Sequence, residues 1–265
     1  MNRITRGKLS RLRDYFQRLP AVAVAYSGGV DSTLAGYVAC LAKGVDQVLL
    51  LLADSCLLAE RTRAEAERVV VDHFPDGVRF LRVHADPLAL ESLQRNDRYR
   101  CYHCKSLIYR QLFAEAQRHG ITMLVDGTNV DDLSDDRPGL KAAREMGVLA
   151  PLAEIGFTKK EIREAAASFA LPNAHLPAES CLATRIPRLT PLAADTLRKI
   201  EQMEDFLAAL GFAGFRVRMQ EDSILLHVSQ ADWSRLADHS LRTKIITYFR
   251  TIEVSRVSVD LCCRR

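Results

Sequence analysis

The run Ser27-Gly28-Gly29-Val30-Asp31-Ser32 follows a short apolar stretch and precedes a segment with helical spacing. A strand that ends in Ser-Gly-Gly at a helix start turns several backbone N–H groups toward one point, where the positive end of the helix dipole adds to them. Such a nest suits phosphate oxygens. Gly28 and Gly29 allow close backbone approach, Ser27 and Ser32 supply hydroxyl donors, and Asp31 is an oxygen ligand for a magnesium ion on the phosphates. The loop has no lysine and no Gly-x-x-x-x-Gly-Lys-Ser/Thr spacing, which excludes the Walker-type loop of phosphoryl-transfer enzymes. An ordinary strand-to-helix turn rich in Gly and Ser is the plain alternative.

The second chemical signal lies in the cysteines, seven in all. Cys101-Tyr102-His103-Cys104 stands among Arg98, Arg100 and Lys105, whose charges favour thiolates. Two thiolates at this spacing can share a metal or cluster, form a dithiol redox pair, or simply open a helix. Zinc would need two further ligands. Cys181 sits in a loop between Pro177 and Pro187, beside Arg185. Together Cys101, Cys104 and Cys181 suit a [4Fe-4S] cluster with one open iron. Cys40 and Cys56 read as packing residues, and the adjacent Cys262 and Cys263 as incidental.

The elements that must position these groups alternate. A helical pattern carries Leu9, Leu12, Tyr15, Phe16 and Leu19; Ala21 to Tyr26 reads as a buried strand. Helix Thr33 to Ala42, strand Gln47 to Leu52, helix Cys56 to His73 and strand Arg79 to His84 follow. Helix Lys105 to His119 leads to strand Met123 to Asp126, and Thr158-Lys159-Lys160-Glu161 is a capping box for a helix to Phe169. Right-handed crossovers make this a doubly wound parallel α/β sheet. Beyond Pro191 the pattern changes to a long helix ending at Gly211, strands around Arg216 to Gln220 and Ile224 to Val228, two short helices and a strand from Val254 to Asp260. The expected division is therefore 1–188, a nucleotide-binding domain, and 189–265, a smaller α+β domain for substrate or oligomerisation. Two long loops, Glu91 to Cys104 and Leu171 to Leu189, are expected to be functional.

Composition fits this reading. A chain of 265 residues that is 48% hydrophobic and 26% charged can bury one sizeable core. Its apolar runs are of strand length, so no membrane anchor is expected. The basic N-terminus enters a charged amphipathic segment rather than a signal core, which points to the cytoplasm. A net charge of +4 is far from the dense basic face of a nucleic-acid binder.

The loop resembles the Ser-Gly-Gly-x-Asp-Ser motif of PP-loop ATP pyrophosphatases, the superfamily of adenine nucleotide alpha hydrolase-like folds. In these the loop binds pyrophosphate while a substrate oxygen attacks the α-phosphate. The stretch Asp126-Gly127-Thr128-Asn129-Val130-Asp131-Asp132 with Arg137-Pro138-Gly139-Leu140 resembles the signature of the ATP-dependent sacrificial sulfur transferases, the LarE family. The likeness continues through Ala150-Pro151-Leu152, Thr158 to Arg163, and Ser180-Cys181-Leu182-Ala183-Thr184-Arg185-Ile186-Pro187. It takes in Asp54-Ser55 with Glu60, Arg100 to Lys105, Arg216-Val217-Arg218 and Val259-Asp260-Leu261.

The resemblance implies adenylylation of a pyridinium biscarboxylic acid mononucleotide with ATP and magnesium, then conversion to a thiocarboxylate on the way to the nickel-pincer nucleotide. It implies ATP contacts at Ser27, Gly28, Gly29, Asp31, Ser32, Asp54 and Thr128, with magnesium at Asp31. Lys105, Arg185, Arg216, Arg218 and Asp260 are implied for the substrate or adenylate, the two strand arginines holding its phosphate. Cys181 is implied as the catalytic cysteine. Either it gives up its own sulfur, or it joins Cys101 and Cys104 on a cluster that delivers sulfide; the presence of all three favours the cluster. A homo-oligomer also follows from the likeness; the sequence does not say what reloads the sulfide. The sequence departs from the family pattern at Ala174-His175-Leu176, where Trp-Asp-Lys is usual, and at Arg188-Leu189, where Tyr-Gly is usual. A tRNA thiolase combining a PP-loop with three cysteines is the enzymatic alternative.

Overall fold

A computed structural model describes the chain except residues 135–137, Ala178, Asp222, residues 263–265 and the side chain of Ser134. Cys263 and part of the family-like stretch after Asp132 thus lie outside the described residues. In chain order the elements are α1 (Arg3–Arg18), β1 (Val22–Tyr26), α2 (Val30–Lys43), β2 (Val48–Asp54), α3 (Glu60–His73), β3 (Arg79–His84), α4 (Glu91–Gln94), α5 (Arg100–Arg118), β4 (Met123–Val125), α6 (Pro138–Glu145) and α7 (Pro151–Ile155). They continue with α8 (Lys159–Ser168), α9 (Ala194–Ala209), β5 (Arg216–Gln220), β6 (Ser223–His227), α10 (Gln230–Trp233), α11 (His239–Thr251) and β7 (Val257–Val259).

The chain forms two compact units. The first comprises Met1–Ser55, Glu60–Pro87 and Arg98–Glu179; the second comprises Cys56–Ala59, Leu88–Asp97 and Ser180–Arg265. The expected single boundary near residue 188 compares with a division at Ser180 and two earlier segments that join the later unit. The reason is local bonding. Leu182 N–H donates to the Leu57 carbonyl at 2.9 Å, and the Asn96 side chain donates to the carbonyls of Pro187 and Thr190, each at 2.8 Å.

The first unit is built on a four-stranded parallel sheet of order β3-β2-β1-β4. β2 is apolar throughout its first five residues because both of its faces are covered. Leu49 and Leu51 pack with Ala23 and Leu124 against Tyr109, Leu112 and Ala116 of α5. Leu50, pointing the other way, meets α2. The chain runs outward from β1 through β2 to β3, then returns to β4 on the other side of β1. The C-terminal ends of β1 and β4 therefore flank the point where strand order reverses, the place where ligands bind in open α/β sheets.

The second unit carries a three-stranded sheet of order β5-β6-β7, with β5 and β6 antiparallel and β6 and β7 parallel. α9 supplies its core through Leu197, Ile200, Met203 and Leu207. That helix starts at Ala194, later than the change of pattern at Pro191 suggests. Leu192 N–H bonds the Gln94 carbonyl at 2.8 Å, which keeps the chain extended until Ala193. α3 likewise starts at Glu60 rather than Cys56, the intervening residues belonging to the second unit.

Candidate active site

The phosphate loop occupies the end of β1 and the N-terminus of α2. Gly29 is the N-cap and has no side-chain cap, so the first-turn N–H groups face outward with the dipole behind them. Gly28 has φ +76°, and a Cβ there would stand 2.5 Å from the Ala66 Cβ on α3. Tyr26 fixes the same helix from the strand side, its hydroxyl donating to the Ala66 carbonyl at 2.9 Å. Ser32 Oγ accepts from Ser27 N–H and lies within hydrogen-bond range of Ser27 Oγ, both at 3.1 Å. The two serines thus brace the loop.

β4 delivers the Asp126-Gly127-Thr128 turn beside it. Asp126 accepts from the Thr128 N–H and hydroxyl, both at 2.9 Å, and from the Tyr109 hydroxyl at 2.7 Å. Burial keeps the Tyr109 phenol protonated well above its ordinary range, as a donor should be. Lys105 donates to Tyr109 at 2.9 Å, so this expected substrate lysine backs the turn through Tyr109 and Asp126. Gly127 has no room for a side chain: a Cβ would lie 2.6 Å from the Ser32 backbone nitrogen.

Asp31 is ion-paired through Oδ2 with Lys159, the first residue of α8. Its other oxygen, Oδ1, is buried and has no hydrogen-bond partner among the described residues. Burial pushes the Asp31 carboxyl up, with Lys159 opposing. An orphaned carboxylate oxygen beside a phosphate nest fits a magnesium ion, which supplies it with a cationic partner. Asn173 braces the loop from behind, donating to the Gly28 carbonyl and to the Thr33 hydroxyl, each at 2.8 Å. Asp54, at the end of β2, accepts from Arg63 at 2.5 Å.

Cys101 and Cys104 lie in the first turn and a half of α5, at i and i+3, and so share one helix face. Both are partly exposed. Two thiols at this spacing can share a metal, but among the described residues no group of three or more His, Cys, Asp or Glu side chains is gathered to hold one. Cys181 is an exposed thiol of the second unit.

In that second unit Cys181 opens the short 3-10 turn Leu182–Arg185. Arg185 holds the turn. Its Nη1 donates to the Ser180 carbonyl at 2.8 Å, the Ser180 hydroxyl at 2.7 Å and the Thr184 hydroxyl at 3.0 Å. Its Nε and Nη2 grip Glu204 at 2.9 and 3.1 Å, both side chains being 2% exposed. Glu204 Oε1 also accepts from the Val217 N–H at 3.1 Å, which couples the cysteine turn to β5. Arg185 thus holds the backbone of the turn that Cys181 opens, its Nη1 also donating to the Cys181 carbonyl at 3.3 Å.

Arg216 and Arg218 alternate on β5 and therefore share a face. Arg216 is buried and Arg218 exposed. With Ser180, Thr184, Arg185 and His227 they line a cavity of about 150 Å³, rich in cationic and hydroxyl donors. Asp260 stands behind it, with Oδ2 3.1 Å from His227 Nδ1.

Lys159, Asn173, Glu204 and His227 escaped sequence reasoning. Glu204 had a signal: it sits at a position where Leu197, Ile200 and Leu207 continue an apolar stripe, so a charge there had to be paired. His227 lies opposite Arg216 in the β5–β6 register.

A parallel sheet with a Ser-Gly-Gly-x-Asp-Ser turn at its switch point defines a PP-loop α/β protein. The thiamine biosynthesis protein family ThiI matches residues 20–208. An uncharacterized protein of Synechocystis sp. is 31% identical over 96% of this chain and 94% of its own. The pyridinium-3,5-bisthiocarboxylic acid mononucleotide synthase of Lactiplantibacillus plantarum is 30% identical over 80% of this chain and 76% of its own. A Methanocaldococcus jannaschii protein is 27% identical over 91% of this chain and 89% of its own. The chain belongs to the LarE family of PP-loop sulfur transferases. No helix among the described residues is long and apolar enough to cross a membrane.

Proposed function

We propose that this enzyme adenylylates a carboxylate of pyridinium-3,5-biscarboxylic acid mononucleotide with ATP and replaces AMP by sulfur, giving the thiocarboxylate. The observation that carries the reading is the uncapped start of α2 beside the orphaned Asp31 Oδ1, a site for a polyphosphate and its cation. The substrate comes from the L. plantarum relative, and the cationic cavity around Arg216 supports it because a mononucleotide brings a phosphate.

In the first half-reaction a carboxylate oxygen attacks the α-phosphorus and pyrophosphate leaves. The nest N–H groups stabilise the charge that builds on the leaving pyrophosphate. Asp31 would hold magnesium, which neutralises phosphate charge when bound. In the second half-reaction sulfur attacks the acyl carbon and AMP leaves. Cys101, Cys104 and Cys181 would hold a [4Fe-4S] cluster, which supplies sulfide when bound. The competing route takes the sulfur of Cys181 itself and leaves dehydroalanine.

Anaerobic incubation with ATP, magnesium and the pyridinium dicarboxylate nucleotide, followed by mass analysis of small molecule and protein, tests this. Thiocarboxylate and AMP formed with an unchanged protein mass support the cluster. A Cys181 residue about 34 Da lighter, as loss of H₂S requires, transfers the sulfur source to the cysteine. Pyrophosphate release that ignores the acid overturns the whole reading. In the same assay Arg216→Ala is expected to raise KM by roughly tenfold or more, the worth of a charged hydrogen bond, while ATP-dependent steps persist.

A further inference from the structure

We infer that His227, oriented by Asp260, is a third ligand of the substrate's phosphate and binds it only as imidazolium. This rests on the reading of the Arg216 cavity as a phosphate pocket.

Placement comes first. His227 is the register partner of Arg216 across the antiparallel β5–β6 pair, and directly opposed residues project to the same face, with Cβ atoms about 5 Å apart. His227 lines the cavity with Arg185, Arg216, Arg218, Ser180 and Thr184, and its side chain is 16% exposed. Asp260 follows β7, the parallel neighbour of β6, and its N–H donates to the Leu226 carbonyl at 3.0 Å. That backbone bond fixes the carboxylate whose Oδ2 stands 3.1 Å from His227 Nδ1.

The tautomer follows. With Nδ1–H directed at a carboxylate, the neutral ring leaves Nε2 as an acceptor, which repels a phosphate oxygen; a donor at Nε2 exists only when the ring carries its second proton. The charges around the ring then set the linkage. From β5, Arg216 and Arg218 disfavour imidazolium, and Arg185 on the cysteine turn adds to them, although Glu204 on α9 offsets its charge. Asp260 on the other side favours imidazolium. An arriving phosphate dianion adds negative charge to the cationic side, so binding draws a proton onto His227. The pocket therefore selects a terminal phosphomonoester in its dianionic form, with Asp260 acting as a positioning residue.

The sign is definite. Affinity falls as pH rises through the pKa of the phosphate-bound imidazole. On the acid side it falls as the dianion takes up its own proton, at about pH 6 for an ester, so the profile is a bell whose alkaline limb belongs to His227. By linkage, phosphate raises the pKa of His227 by the same factor that protonation raises affinity.

The test uses the full-length chain and inorganic phosphate. Binding is measured by calorimetry across pH, and the His227 ring resonance is followed by NMR with and without phosphate. We expect phosphate to raise the His227 titration midpoint by about one pH unit, and His227→Gln to weaken binding roughly tenfold at the pH where the wild type binds most tightly while losing the alkaline limb. Asp260→Asn keeps the ring but moves that limb to lower pH. With the nucleotide substrate, His227→Gln raises KM and leaves kcat.

Phosphate binding that is abolished by Arg216→Ala yet has the same pH profile in wild type and His227→Gln sinks the inference and leaves the arginine pocket standing. A wild-type chain that binds no phosphate sinks both. Should His227→Gln fail to fold, the wild-type NMR titration decides alone, a stationary midpoint being the negative result.

Discussion

The two regions proposed to bind anions are built by opposite means. The loop of the first unit is made of backbone: Gly28, Gly29 and the start of α2 present N–H groups, and the nearby side chains mainly brace them. The cavity of the second unit is made of side chains from a turn and two strands, held by the buried Arg185–Glu204 pair. A backbone site tolerates no added atoms, whereas a side-chain site tolerates no lost partners. The three substitutions below separate these sensitivities.

The largest effect is expected at Glu204. Glu204→Gln keeps the shape but leaves Arg185 charged and buried without its anion, and breaking such a pair costs about 3–5 kcal/mol. Thermal melting should fall accordingly, by about 2–4 °C per kcal/mol for a chain of this size class. Because Arg185 also holds Ser180 and Thr184, thiocarboxylate formation should fail more severely than ATP-dependent pyrophosphate release. Equal loss of both activities, once corrected for folded fraction, would break the contrast between the regions.

Gly28→Ala comes next. Its methyl group meets Ala66 at 2.5 Å, and its φ of +76° is costly for any L side chain. Left-handed backbone and overpacking together cost about 2–5 kcal/mol. Pyrophosphate release should be lost first. Adding Ala66→Gly should recover the packing share and not the backbone share, so partial rescue is expected; full rescue would show that φ carries no cost here.

These mechanisms explain what could be read from the sequence. The loop was legible because its requirements fall on consecutive residues: glycine where φ is positive, serine and aspartate at a helix start, an apolar strand before them. The Asp-Gly-Thr turn was legible as a family motif, but its reason, backbone approach of Gly127 to Ser32, is visible only once β4 lies beside β1. In the sequence Lys159 is simply part of a cap, since nothing local says that it reaches Asp31, 128 positions away. His227 and Asp260 meet through sheet register, and the second unit borrows Leu57 and Asn96 from earlier in the chain. Long-range pairing of polar groups leaves no periodicity for a single sequence to display.

The smallest effect is expected where both kinds of construction meet, at the capping box of α8. Thr158 and Glu161 satisfy each other's backbone N–H groups, and Lys8 donates to both Glu161 oxygens at 2.7 Å. Burial would raise the Glu161 carboxyl, but the bonds from Lys8 and Thr158 outweigh it and hold the group below its ordinary value. A depressed carboxyl stabilises the fold at pH values above its unfolded pKa, near 4.3, and loses that contribution as pH falls through the folded value. Glu161→Gln keeps an oxygen for the cap but loses the charge that Lys8 meets, and should therefore cost about 1 kcal/mol at pH 7, the net worth of such a bond. The difference in denaturant midpoint between the two chains should shrink toward acid. Because α8 begins with Lys159, loss of the Lys8 tether should also weaken the hold on Asp31, seen as a higher magnesium requirement for pyrophosphate release with the anion cavity unaffected. A variant that loses stability equally at pH 7 and in acid would show that packing, not the ionised cap, secures this end of the backbone-built site.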